Sequence, residues 1–103
     1  MRIIIVGCGK IGLSIIKQLT IEKHDITVID QNTDVINDIT NNFDVMGYVG
    51  NGASYSVQKE AGVDRADLLI AVTGSDEINL LCCLFAKKTT VKRKIPMRDR
   101  DFL

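Results

Sequence analysis

The sequence has one proline, Pro96, one histidine, His24, no internal repeat and no low-complexity segment. Its three cysteines, Cys8, Cys82 and Cys83, form an odd set without a C-x-x-C pair, which argues against a disulfide framework or a metal knuckle. The adjacent pair sits in an apolar helical stretch, where thiols pack as small hydrophobes, and Cys8 alone is placed to lie near a ligand. His24 falls in the polar turn Glu22 to Asp25 with no nucleophile or acidic partner arranged for catalysis, so it reads as a surface residue. Net charge is also absent: thirteen basic and thirteen acidic residues cancel. Nothing global therefore draws the chain to nucleic acid or to an anionic membrane surface, and an anionic ligand needs a local site. The longest apolar runs, Ile3 to Val6 and Ile78 to Ala86, fall far short of the ~20 residues of a bilayer span. Arg2 leads at once into a strand-like run rather than a signal peptide, so a cytoplasmic location is expected.

What is present is a regular alternation of apolar runs and helical patterns. With 46% apolar residues in 103, the chain can bury one modest core and reads as a single domain, residues 1–103. Ile3-Ile4-Ile5-Val6 is short, β-branched and unbroken, as expected of a central parallel strand covered on both faces. A helix is expected from Lys10 to Lys23, with Ile11, Ile15, Ile16 and Leu19 on one stripe. Ile26 to Ile29 forms a second strand ending at Asp30, and Val35, Ile36, Ile39 and Phe43 give the next segment a helical period. A third strand fits Val45 to Val49, a short helix Tyr55 to Ala61 closed by Gly62, and a fourth strand Leu68 to Val72. Ser75 or Asp76 then caps a helix that is apolar nearly all round, covered by the sheet and a neighbouring helix or by another subunit. A fifth strand is expected near Lys94 to Arg98, at an edge or irregular, because Pro96 removes a donor. Strands separated by helices require a parallel sheet with right-handed crossovers. The expected fold is an α/β, Rossmann-like doubly wound sheet in three αβα layers, strand order 3-2-1-4-5.

The chemistry gathers at one end of that sheet. Gly7-Cys8-Gly9-Lys10-Ile11-Gly12 is a G-x-G-x-x-G run between the first strand and the first helix, the context in which this pattern holds a pyrophosphate against a helix N-terminus. Gly7 makes the turn, Gly9 admits the phosphates, Gly12 lets helix and strand approach, and Lys10 either pairs with a phosphate or is solvated. Asp30, eighteen residues after Gly12, either receives both ribose hydroxyls or caps the next helix. It would repel a 2′-phosphate, and Gln31-Asn32-Thr33 offers no arginine, so NAD or NADH, or an adenine nucleotide such as ATP/ADP, is favoured over NADP. Thr73 and Gly74 follow the fourth strand and should face the phosphates. Asn51-Gly52 follows the third, on the adenine side, or is simply a turn.

With these residues in place the chain resembles the nucleotide-binding domains of the regulator-of-potassium-conductance (RCK or KTN) family, in its Trk branch. The resemblance rests less on the glycine loop than on Gly50-Asn51-Gly52-Ala53-Ser54, Glu60-Ala61-Gly62-Val63, Ala66-Asp67 and Ala71 through Asn79, and covers residues 1 to about 90. Asn51 is similar to the Trk branch, whereas many relatives place Asp there. Relatives often have Arg at the position of Lys10, which keeps the charge but loses the bidentate grip. Arg98-Asp99-Arg100-Asp101-Phe102 looks like a divergent form of the family's R-N-P-E-Y, with an earlier family arginine falling at Pro96.

The resemblance implies a cytoplasmic regulatory domain that binds NAD(H) or ATP/ADP without turnover and is associated peripherally with the membrane. Its partners would be a potassium transporter of Trk or Ktr type and further copies of itself in a dimer or ring. It adds Asn79 and Arg98 to the ligand set Gly7, Cys8, Gly9, Lys10, Ile11, Gly12, Asp30, Gln31, Asn51, Gly52, Thr73 and Gly74. Family regulators are longer, so the chain is expected to be one piece of such a protein, its sensor half. Two alternatives stay open: the cofactor half of an NAD-dependent dehydrogenase, and a ligand-free interaction module.

Overall fold

The computed structural model describes residues 1–86 and 93–96. Strand β1 (Arg2–Val6) leads through the glycine turn to helix α1 (Lys10–Ile21), then β2 (Asp25–Asp30), α2 (Thr33–Asn42) and β3 (Met46–Val49). The chain crosses over through α3 (Tyr55–Glu60) and a 3-10 turn (Val63–Arg65) to β4 (Leu68–Ala71), α4 (Asp76–Ala86) and β5 (Arg93–Pro96). All four strand pairings are parallel, and the sheet order is β3-β2-β1-β4-β5.

The central strands alternate strictly between two cores. Ile3 and Ile5 of β1, Ile26 and Val28 of β2, and Ile70 of β4 pack with Ile16, Ile36 and Ile39 under α1 and α2. Ile4 and Val6, Ile29, and Leu69 and Ala71 point the other way, toward Ala61, Val63, Cys82 and Cys83 of the α3/α4 layer. A period of two in side-chain direction therefore divides an uninterrupted apolar run between the two helical layers. Register fixes the division, pairing Ile5 with Val28 on one side and Ile70 on the other.

Element ends depart from the sequence pattern where backbone geometry decides them. Helix α1 stops at Ile21, short of the expected Lys23, because Lys23 takes a left-handed conformation (φ 60°) that turns the chain toward Asp25, whose N–H reaches the Met1 carbonyl at 3.0 Å. Strand β3 starts at Met46 because the Val45 amide is used locally by the Phe43 carbonyl. The last turn before the 3-10 element closes on Gly62 (φ 88°), as its position after α3 predicts. Ser75 rather than Asp76 caps α4, its Oγ accepting from the Ile78 N–H at 3.2 Å. Strand β5 is described at Arg93–Pro96 and is the edge strand that Pro96 predicts, whereas the last two residues of the expected Lys94 to Arg98 lie outside the described residues.

One close approach sets the geometry of the whole carboxyl edge. A Cβ at Gly12 would lie 2.2 Å from the Gly7 carbonyl oxygen, so the first turn of α1 rests directly on the end of β1. Gly7 itself (φ 102°) has no room for a side chain beside the backbone of Val72 and Thr73. We expect Gly12→Ala to push α1 outward and cost about 1–3 kcal/mol despite the better helix propensity of alanine. Thermal melts would read this as a fall in Tm of several degrees.

Candidate functional site

The glycine turn, the ends of β2 and β3 and the loop after β4 enclose a cavity of about 200 Å³ lined by Gly7, Asp30, Gln31, Asn51, Gly52 and Thr73 among others. A larger hollow of about 450 Å³ opens at the opposite edge of the sheet, around Arg2, Asp25, Tyr48 and Arg65. The smaller one holds the chemistry, because it lies at the point where strand order reverses and helix N-termini face outward.

Helix α1 starts beside the crevice, which Gly7 lines and which Gly9 and the first turn of α1 do not. No side chain caps it and no acidic residue occupies its first turn. By contrast, the Asn32 Oδ1 caps α2 by accepting from the amides of Asp34 (2.9 Å) and Val35 (3.3 Å), and α2 and α4 both have acids in their first turns. The uncapped end of α1 presents unpaired N–H groups and the positive end of a helix dipole, the electrostatics that suit a phosphate. Above Gly9, at the N-cap, nothing lies within 4 Å of where a Cβ would stand, so the space an anion needs is open.

Asp30 stands beside this opening at the end of β2. Its Oδ2 accepts from the Cys8 N–H at 2.9 Å and its Oδ1 from the Asn32 N–H at 2.9 Å. The carboxylate thus ties the glycine turn to the start of α2 while Asn32 does the capping, which disposes of the capping role weighed for Asp30. Each carboxylate oxygen retains a second acceptor site, enough for a pair of vicinal hydroxyls.

The other expected residues divide. Gln31 lines the crevice; Asn51 does too, while its Oδ1 accepts from the Ala53 N–H at 2.9 Å, the hydrogen bond of a turn. Gly52 is wedged against Val6, whose Cγ1 would be 2.2 Å from an added Cβ. Thr73 lines the wall, but the exposed Gly74 is not among the lining residues. Lys10 is exposed and borders a separate groove along α1 with Ile11, Ser14 and Gln18, so it is not brought into the crevice. The Cys8 side chain turns into the α1/α2 core, leaving only its amide toward Asp30. Asn79, expected at the ligand, is 1% exposed and committed to Thr73. Its Oδ1 accepts from the Thr73 N–H (2.8 Å) and Oγ1–H (2.6 Å), and its amide donates to the Thr73 carbonyl (3.2 Å). It shapes the wall instead of facing the cavity. Arg98 lies outside the described residues.

Sequence reasoning missed Val6, Ile29, Gly50 and Ile78, which complete the lining, and Gln58, a fully buried amide behind the Gly52 turn. The signal for Gln58 was its spacing of three from buried Ala61 on a short helix, which puts it on the inward face.

Burial, and then the negative charge of Asp30, push the Cys8 thiol up to about 12. Burial foremost, and then Cys83, raise Cys82 to about 12 against an opposing backbone hydrogen bond. The thiolate is the reactive form, and a rise of about three units from the ordinary 9.0 makes it roughly a thousandfold scarcer near pH 8. Alkylation by iodoacetamide at pH 8 is expected to be slower by at least that factor in the folded chain than in urea. Mass spectrometry that found Cys8 labelled at the unfolded rate would contradict the buried placement.

Comparison with known proteins gives one family model and curated relatives that share one name. The profile of the TrkA-N domain matches residues 3–101. The Trk system potassium uptake protein TrkA of Azorhizobium caulinodans is 38% identical over 98 residues, covering 90% of this chain and 21% of that protein. The chain spans about a fifth of the length of this and other curated relatives. Among solved structures, the Shewanella denitrificans Kef C-terminal domain in its AMP-bound form superposes with a TM-score of 0.79 at 20% identity, covering 92% of this chain and 57% of that one. The GsuK channel bound to NAD superposes with a TM-score of 0.78 at 22% identity, covering 89% of this chain and 17% of that one.

Proposed function

The chain belongs to the TrkA-N domain family, and from that premise we propose that it is the nucleotide-sensing part of a cytoplasmic potassium-uptake regulator. The observation that carries the proposal is the uncapped N-terminus of α1, open above Gly9, with the Asp30 carboxylate beside it. A diphosphate fits the first feature and a ribose the second, the two halves of an adenine dinucleotide. NAD or NADH is the proposed ligand, with ATP/ADP as competitors for the same crevice; NADP is disfavoured because Asp30 repels its extra phosphate. Relatives bound to NAD and to AMP support an adenine nucleotide. Curated relatives are named for potassium uptake, which favours sensing over the dehydrogenase reading.

Sensing requires two packings with different nucleotide affinities, since a ligand shifts an equilibrium only by its differential affinity. Helix α4 is the proposed contact between copies of the domain, because Leu80, Leu81 and Leu84 are 53%, 42% and 47% exposed along one stripe. The dimer or ring so formed would pass the change to a membrane potassium transporter. Among the described residues no helix is long and apolar enough to cross a membrane, in keeping with a separate membrane partner.

Calorimetric competition of NADH, NAD, ATP and ADP tests the site. Asp30→Ala is expected to weaken NADH by about 10- to 100-fold, the loss of charge-assisted bonds worth about 1.5–3 kcal/mol. Gly9→Ala should abolish measurable affinity while changing stability by no more than about 1 kcal/mol, because the added methyl meets only the ligand's space. Unchanged binding in both variants, or no saturable binding of any of the four nucleotides, would refute the proposal and favour a ligand-free module.

A further inference from the structure

Gln58 has no exposure to solvent and does not line the crevice, yet it touches what does. Its Nε2 donates to the Gly52 carbonyl at 2.8 Å and to the Cys82 carbonyl at 3.0 Å, while its Oε1 is buried with no hydrogen-bond partner. An apolar side chain of the same length would fill this space without the unpaired Oε1, but it would take the Nε2 donor away from the Gly52 carbonyl. What the amide adds is direction: two donors on one rigid plane fix the distance between the Gly52 peptide and the Cys82 peptide.

Those peptides belong to different functional parts. Gly52 lines the crevice on the adenine side and is pressed against Val6, so the loop cannot shift without moving its carbonyl. Cys82 lies midway along α4, just past the exposed Leu80 and Leu81. The start of α4 is fastened separately to the opposite wall, where Asn79 holds Thr73. Helix α4 is thus anchored to both walls of the crevice by buried amides, one near its start and one at its middle.

Resting on the nucleotide reading above, we infer that Gln58 is a positioning residue that couples occupancy of the adenine side of the crevice to α4. Ligand contact with Asn51–Gly52 moves the Gly52 carbonyl, the shared amide follows, and the displacement arrives at the Cys82 carbonyl on the helix that carries the exposed leucines.

The test is a titration of the full chain with NADH followed by amide NMR. The Ala53 N–H shares a peptide plane with the Gly52 carbonyl and the Cys83 N–H shares one with the Cys82 carbonyl, so the two report the two ends of the linkage. At saturation the native chain should show shifts at Cys8, Gly9, Ala53, Cys83 and the Gln58 side-chain NH₂. Gln58→Met keeps the volume and removes both donors; Ala53 should still shift and the Cys83 shift should be lost. An equal Cys83 response in Gln58→Met would overturn the inference. So would native Gln58 NH₂ signals that stay still while Cys8 and Gly9 move, a result independent of whether any variant folds. If no amide moves with NADH at all, the nucleotide reading fails and this inference falls with it.

Discussion

The contact on which the rest depends is that of the first turn of α1 with the end of β1, where Gly12 lies against the Gly7 carbonyl with no room for a Cβ. That approach sets the uncapped start of α1 beside the crevice that Gly7 lines. It also brings the Cys8 N–H within reach of Asp30, so the glycine turn and the end of β2 become one rigid unit. The three glycines differ in what they do. Gly7 and Gly12 are excluded from carrying side chains by the protein itself, whereas Gly9 faces open space and is constrained only by what must enter there.

Charge is organised locally in a molecule that has none overall. The positive end of a helix dipole and a carboxylate meet at the crevice mouth, one suited to phosphate and the other to hydroxyl groups. Selectivity follows from their closeness: an anion is welcome at α1 and unwelcome at Asp30. Lys10, the nearest cation in sequence, lies along α1 outside the crevice, so the attraction rests on backbone amides, which are fixed in position.

Polar groups behind the walls give α4 its role. Asn79 and Gln58 are the two buried polar side chains of the described core, and each joins α4 to a loop that lines the crevice. Buried amides are favoured over hydrocarbon only where their direction is used. Here direction links the ligand space to a helix whose outer stripe of leucines is exposed. Such an arrangement suits a sensor, in which occupancy must be felt at a surface away from the ligand.

The sequence alone determined the layering and the place of the glycine turn. Ile3 to Val6 reads as a strand buried on both faces, and G-x-G-x-x-G after it places a helix N-terminus at the sheet's carboxyl edge. Asp30 at the end of the next strand was legible for the same reason, since strand ends are set by local pattern. Tertiary structure alone decided which polar atoms face the ligand and which face each other. Asn79 and Thr73 are six residues apart across a turn, and Gln58 and Cys82 are twenty-four apart on two helices of one layer. No local period encodes such pairings, between two helices of one layer or across a turn, because they depend on how helices settle on the sheet, and that settling is a property of the whole packed core.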